Sequence, residues 1–558
     1  MQNRLSADKR KIGLAGGLAL LLTFLQVNGW QRSMKYGTSV HSSLFFQKIG
    51  VLETWQCILV GAVEWIALGV LFYNLFLFLE NHCNVQGECT VKTARFIWVI
   101  SFGVLFAVYS ICLIGCFPGF YNYDGATQLV QVMYKEVPYN THHPLLHTLI
   151  EGGIITLGYR IYSMDLSLGI FLYCLFQMCV CAVSFSYSVR FIYRYTCKRF
   201  WVVLAVVFYS ICPPVVMFAM STTKDTLCYA ALLPAVLKLY DIYRADMVNG
   251  TITRKDWVIT AVLLVLSCLM RNNIVYAIAV LAVFSVVFYK RNPQGECFLY
   301  ISVVVLYFII NNGLIIALDA GKGSVAEALS VPCQQIARLY VEEGEEVFDS
   351  EEQELLYAAI EPEVLITYDP VISDPIKYAL GKHWDAIREN KWDYVALWMR
   401  KGLQYPQIYW DSFLDNTYQA WYPGTVTKDR GGYRYFHITD WTEESPKLPW
   451  LYNYYKSIEE ECSYQTYPVI RLLFSIGTML WTLVITWVWG LWRKDRGISR
   501  AFLLVLLVCA TCFLGPVSEV RYYLILFYLF PVCLGLIFGR INYDLGYACF
   551  EKKIWRRE

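Results

Sequence analysis

Apolar runs of roughly 17–25 residues recur along this chain, the length at which an α-helix crosses the hydrocarbon core of a bilayer. Such a run constrains the fold because lipid offers no partner for backbone N–H and C=O groups, which must be satisfied inside the helix. Spans are expected near 12–30, 54–79, 96–116, 166–189, 200–219, 226–243, 257–270, 273–289, 297–317, 468–492, 501–516 and 522–538. Composition agrees, with 57% hydrophobic and 16% charged residues, where soluble domains carry roughly 25% charged. The fold class expected is mainly α: a polytopic membrane protein of about 12 transmembrane helices.

Lysine and arginine crowd into Arg4–Lys11, Lys92/Arg95, Arg190–Arg199, Arg244–Lys255, Lys290/Arg291, Arg493–Arg500 and Lys552–Arg557. Basic loops stay on the cytoplasmic side, and twelve spans with both termini cytoplasmic put all of them there. This requires the run 143–158 not to cross. It is expected as an interfacial helix on the outer surface, opened by Pro144 at a first helical position, with Gly125–Lys135 a second short surface helix. The first apolar run lacks a clear small-residue cleavage site, so it reads as a span rather than a cleaved signal.

The chain then divides into two N-terminal helices (1–95), a transmembrane core (96–318) with a first outer loop at 117–165, an outer aromatic-rich soluble domain (319–466), and C-terminal helices with a basic tail (467–558). The outer domain holds 26 Asp and Glu between residues 319 and 465 against 13 Lys and Arg. With a net formal charge of +2 and no basic stripe, nucleic acid is excluded as a partner. Helical spacing marks Val325–Tyr340 and Ser350–Ala359, the latter opened by Ser350-x-x-Gln353 in the manner of a capping box. The Tyr-, Trp-, Pro- and Gly-rich stretch Tyr405–Trp450 reads as irregular loops. Most of the 19 cysteines lie in apolar runs, where free cysteine acts as a small hydrophobe. Cys333 and Cys462 fall in the outer domain, and whether they pair stays open.

Chemistry concentrates in Tyr121-Asn-Tyr-Asp124-Gly-Ala-Thr-Gln128 and Thr141-His142-His143-Pro144-Leu-Leu-His147. Charged and imidazole groups at a bilayer surface are costly to desolvate and mark ion or substrate handling. Asp124 can take a hydroxyl proton as a general base; the bland alternative is a helix N-cap. His143, His147 and Glu151 recur every four residues, which suits one helix face, a zinc pair, or simply the headgroup layer. His142 or His143 can contact a phosphate, or share a divalent cation with Asp124. Lys224-Asp225 opens a helix at the outer surface: either Lys224 meets a lipid phosphate and Asp225 orients it, or the pair is a cap with a snorkelling lysine. Arg271-Asn272 breaks an apolar hairpin, and Glu519 and Arg521 lie between the last two spans. Each arginine either snorkels or grips a phosphate through its planar fork. Lys224, Arg271 and Arg521 could converge on one anionic lipid head.

With Tyr123-Asp124-Gly, His142-His143-Pro144, Lys224-Asp225, Arg271-Asn272 and Val331-Pro-Cys-Gln-Gln-Ile-Ala-Arg338 in this order, the chain resembles the GT-C superfamily of integral-membrane glycosyltransferases. It is closest to a family of bacterial multi-pass proteins within that group. The resemblance implies a bacterial plasma-membrane enzyme performing inverting transfer from a polyprenyl-phosphate-linked sugar to an outer-face glycan, lipid or protein. Asp124 matches the base or metal ligand by position, with His143 beside it. His142, His147, Lys224, Asp225, Arg271, Asn272, Glu519 and Arg521 are the implied substrate contacts. A divalent cation is an open cofactor. The same folds host surface-glycan polymerases, and a flippase of lipid-linked oligosaccharides or a noncatalytic envelope scaffold are the rival readings.

Overall fold

The computed structural model describes residues 2–36, 51–82, 89–162, 164–247, 252–287, 295–323, 326, 329–425, 446–460, 467 and 469–539. The architecture is helical throughout these residues, with strand pairing limited to isolated bridges. Seven helices among them are long and apolar enough to cross a membrane: Asp8–Lys35, Thr54–His82, Val91–Gly115, Leu166–Thr196, Lys224–Met247, Glu296–Ala317 and Val520–Phe538. The helices Arg199–Ile211 and Pro213–Ala219 make an eighth span if taken as one unit bent by 56°. Proline explains the bend. It disfavours helical geometry in the residue before it, and Cys212 is accordingly extended at φ −67° and ψ 112°. Helices Arg254–Met270, Ile274–Val287, Ile476–Arg493 and Arg496–Cys512 lie where four further spans are expected, but they are not among the helices long and apolar enough to cross. The chain is therefore a mainly α membrane protein.

Ion pairs sort into two ends of the bundle. At one end the segments rich in lysine and arginine meet one another, through Lys11–Glu80, Arg194–Asp241, Lys238–Asp256, Arg244–Asp495, Arg496–Asp246 and Arg500–Glu296. At the other, Arg32 bridges Asp411 and Asp415 of the polar segment. The basic tail 552–557 and Lys290/Arg291 lie outside the described residues.

The polar segment carries its own small core, with Cys333, Ile336, Leu339, Phe348, Leu356, Ile376 and Tyr409 buried together. Two local expectations are corrected here. The capping box that opens Ser350–Ala359 is Asp349 with Glu352, not Ser350 with Gln353, because the aspartate carboxylate accepts from the Glu352 N–H at 2.9 Å. Pro406–Trp421 is a 16-residue helix rather than loop, since proline at a first helical position starts helices and aromatic residues tolerate them. Residues 426–445 of the expected loop region lie outside the description. The thiol of Cys333 is buried and donates to the Ser330 carbonyl at 3.2 Å; Cys462 is outside the described residues.

Candidate active site

Two chain crossings bring the polar motifs together. Phe120 N–H donates to the Met220 carbonyl at 2.8 Å and Thr222 N–H to the Phe120 carbonyl at 2.9 Å. This parallel stitch sets the turn after the helix Val91–Gly115 beside the end of the bent helix pair. Asn122 N–H then donates to the Thr222 hydroxyl at 3.0 Å. A hundred residues of sequence separation between Asp124 and Lys224 thereby close to one salt bridge. The second stitch joins Tyr139–Thr141 to Gly321, drawing the His142-His143 loop against the start of the polar segment. Ser373 N–H donates to the Pro516 carbonyl at 2.9 Å, fixing the loop that carries Arg521.

The expected surface helix at 125–135 runs Tyr123–Met133 and is capped by Asn122, whose side chain accepts from the Asp124 N–H at 3.0 Å. Asp124 is therefore not the cap. Its carboxylate is free for other partners, and one oxygen, Oδ2, accepts from Lys224 Nζ at 3.0 Å and from Arg521 Nη1 at 2.8 Å. Burial opposes ionisation of Asp124, but the charges of Lys224 and Arg521 outweigh it and hold its pKa well below the ordinary carboxylate range.

His143 precedes the helix Leu145–Ile161 and does not share its face with His147 and Glu151, because Pro144 takes the N-cap position. Its Nδ1 lies 3.0 Å from Lys224 Nζ and its Nε2 3.0 Å from the Thr127 hydroxyl. An ammonium can only donate, so Nδ1 accepts and Nε2–H donates onward to Thr127, whose hydroxyl donates to the Asp124 carbonyl. That tautomer is neutral. Burial, then the Lys224 charge, push its pKa down to about 2. His142 is exposed and packs edge-on against His143, with ring centroids 4.6 Å apart.

His147 and Glu151 do not meet the headgroup layer. Both are fully buried, because the helix Leu145–Ile161 packs this face against Tyr123–Met133 and Leu166–Thr196. Burial lowers the His147 pKa to about 3. The neutral ring spans Gln128 Oε1 at 2.7 Å and the Tyr173 hydroxyl at 2.8 Å. Glu151 Oε2 sits 3.4 Å from His147 Nδ1. Burial, reinforced by the Asp124 charge, raises the Glu151 pKa well above its ordinary value, which favours the uncharged carboxyl behind the ionised one.

Asp225 does not orient Lys224. It is buried and salt-bridged to Arg271, whose Nε donates to the Asn273 side chain at 2.9 Å. Arg271 stacks on the Tyr522 ring at 4.4 Å, and Arg521 lies 5.1 Å from the same ring. Of the three cations expected to converge, Lys224 and Arg521 share a carboxylate, while Arg271 stands one aromatic layer behind them. Asn272 accepts from the Tyr307 hydroxyl at 3.1 Å, and Glu519 is paired to Arg521.

Of these groups, Asp124, His142, His143, Lys224, Arg521 and Tyr522 line a cleft of about 620 Å³, whereas His147, Asp225, Arg271, Asn272 and Glu519 do not. Its opposite wall adds Lys322 and the ion pair Asp374–Lys377, 2.6 Å long. Sequence reasoning gave no role to Lys322, Lys377, Thr127 or Gln128, although the last two lie inside the first polar motif. A divalent cation does not suit this donor set. Two cations already occupy Asp124, and among the described residues no three His, Cys, Asp or Glu side chains are grouped to hold a metal.

The arrangement is that of a membrane-embedded protein whose polar cleft concentrates cations around one ionised carboxylate. The chain belongs to the family described as a family of unknown function (DUF6020), whose profile it matches over residues 134–543. That range includes His142, His143, Lys224, Arg271 and Arg521 and begins after Asp124. No curated protein matches the chain, and no solved structure does.

Proposed function

We propose that the protein is a membrane glycosyltransferase that draws a sugar from a polyprenyl-phosphate-linked donor and passes it to an envelope acceptor within this cleft. In this reading the chain crosses the bacterial plasma membrane twelve times with both termini cytoplasmic, and the cleft opens on the outer face. The observation that carries the proposal is the clamp of Lys224 and Arg521 on the Asp124 carboxylate at the cleft wall. Two cations at helix ends suit a phosphate, since charge-assisted hydrogen bonds are about twice as strong as neutral ones. The GT-C resemblance supplies the reaction class.

In the reaction, the acceptor oxygen bonds to the anomeric carbon as its proton passes to Asp124. The bond from that carbon to the phosphate oxygen breaks, and the electron pair leaves on the phosphate, where Lys224 and Arg521 balance its charge. No step runs through a metal.

The test is sugar transfer by purified protein from a radiolabelled polyprenyl-phosphate sugar, with binding of the same lipid measured in parallel. Asp124→Asn is expected to lower transfer by about 10²–10⁴ while binding the lipid at least as tightly, because the carboxylate no longer competes for the two cations. Arg521→Gln is expected to weaken binding by about tenfold. Transfer by Asp124→Asn at the wild-type rate would remove the catalytic assignment and favour transport of the lipid instead.

A further inference from the structure

A second cavity lies at the opposite end of the bundle, where the basic segments meet. It is a groove of about 730 Å³ between the helices Val91–Gly115, Leu166–Thr196, Lys224–Met247 and Arg254–Met270. Its deeper lining is apolar, with Val183, Ile259, Leu263 and Leu266. Its rim is cationic, carrying Arg95, Arg190, Arg194, Lys238 and Lys255 beside Asp241 and Asp256.

The two carboxylates are already engaged. Asp241 takes Arg194 at 2.9 Å and the Tyr195 hydroxyl at 2.6 Å, and Asp256 takes Lys238 together with the Thr253 cap. Arg95, Arg190 and Lys255 form no ion pair among the described residues. Arg190 is the most telling of the three. Its guanidinium lies over the Trp98 ring, 5.3 Å from the centroid, and its Nε is buried with no hydrogen-bond partner. The carboxylate nearest in effect, Asp241, is paired with Arg194, so this guanidinium, half inside a helix bundle, has no direct anionic contact among the described residues.

From this we infer that the groove binds an anionic phospholipid. The headgroup phosphate would pair with Arg190, flanked by Arg95 and Lys255, and an acyl chain would lie along Val183, Leu263 and Leu266. A lipid fits better than a soluble anion because the charge sits at the mouth of an apolar groove, at the depth where the headgroups of one leaflet meet the ends of the helices. Basic pockets between transmembrane helices recognise anionic headgroups by this combination of charge and apolar surface. The site is separate from the cleft around Asp124 and shares no lining residue with it; of the four helices around the groove, only Lys224–Met247 also reaches the cleft.

Native mass spectrometry of the purified full chain, with phosphatidylglycerol or phosphatidylcholine added to the micelles, tests the site. The wild type is expected to retain phosphatidylglycerol in preference to phosphatidylcholine. Arg190→Gln is expected to weaken phosphatidylglycerol binding by about fivefold to tenfold. The paired variant Arg95→Gln/Lys255→Gln changes two exposed side chains and should fold whatever Arg190→Gln does; it is expected to weaken binding similarly. Arg496→Gln, at the same end but outside the groove, should leave binding unchanged. Equal retention of the two lipids would overturn the inference, as would phosphatidylglycerol binding that survives in the paired variant. Displacement of the lipid by inorganic phosphate alone would assign the cations to a soluble anion and overturn it too.

Discussion

Removing the Asp124 charge should destabilise the fold, and the structure says which partner bears the cost. Asp124 Oδ2 holds Lys224 at 3.0 Å and Arg521 at 2.8 Å, and all three side chains are at least largely buried. Unit charges about 4 Å apart at an effective dielectric of about 20 attract by about 4 kcal/mol, part of which offsets desolvation and the repulsion between the two cations. Breaking a buried pair by neutralising one member costs about 3–5 kcal/mol, and that is the loss expected for Asp124→Asn. The two cations do not share it equally. Arg521 keeps Glu519 as a counter-charge, whereas Lys224 is left facing a neutral amide and the neutral ring of His143. In the wild type, Lys224→Met should cost about 1.5–3 kcal/mol, the value of a charged hydrogen bond. In the Asp124→Asn background the same change should be neutral or stabilising, giving a coupling of at least about 1.5–3 kcal/mol. Unfolding in mixed micelles by SDS titration, followed by tryptophan fluorescence, measures all four proteins. If Lys224→Met costs the same in both backgrounds, the clamp carries no energy and the electrostatic reading of the site is wrong.

The buried titratable groups make a second expectation about pH. His143 and His147 stay neutral when folded but take protons near pH 6.5 once unfolded, so stability falls as pH drops below that value; Glu151 acts oppositely, keeping a proton that the unfolded chain releases above about pH 4.5. Between these limits the unfolded state binds a net excess of about one proton, a slope of about 1.4 kcal/mol per pH unit, which Glu151→Gln should roughly double; an unchanged slope in that variant would show that Glu151 is ionised when folded. Gly125→Ala should destabilise by about 1–3 kcal/mol, because a Cβ there would lie 2.3 Å from Glu151 Oε1 and 2.7 Å from the Thr222 hydroxyl. Gly153→Ala, where a Cβ meets nothing within 4 Å, should cost nothing in the same unfolding assay.

Seven helices were legible because a bilayer leaves few alternatives and apolar length alone marks a span, whereas the 56° bend at Cys212 was not, since 200–219 read as one continuous apolar run. The ionisable residues were legible for the same reason, since a charge such as Arg271 or Arg521 at a helix end must find a partner. What the sequence withheld was the pairing. Nothing local says that Asp225 belongs to Arg271 and Asp124 to Lys224; that choice follows from the stitch between Phe120 and Thr222, a contact between distant loops with no periodic signal. The burial of His147 and Glu151 was hidden in the same way. Their four-residue spacing fixes a common face but not what covers it, and a polar face on a helix too short to span suggested water or headgroups rather than Gln128 and Tyr173. At Pro406–Trp421 a composition read as loop concealed a helix, because tertiary packing of Tyr409, Leu414 and Tyr418 outweighs the weak propensity of aromatic residues.

A carboxylate held so firmly ionised is a poor proton acceptor, which at first counts against Asp124 as a base. The same contacts supply the remedy. The cations that depress its pKa are the ones a phosphate would seek, and an arriving phosphate acts on Asp124 twice: it draws Lys224 and Arg521 toward itself, and it places negative charge beside the carboxylate. Both changes raise the proton affinity of Asp124, and the protonated Glu151 behind it adds no charge to repel the donor. Basicity would then appear only when the donor phosphate is seated, so that an empty cleft has no strong base with which to activate water. In the proposed transfer, the strength of the clamp in the unliganded protein would be the means by which donor binding switches the base on. Weakening the clamp through Lys224 should therefore loosen the link between donor binding and proton acceptance as well as the fold.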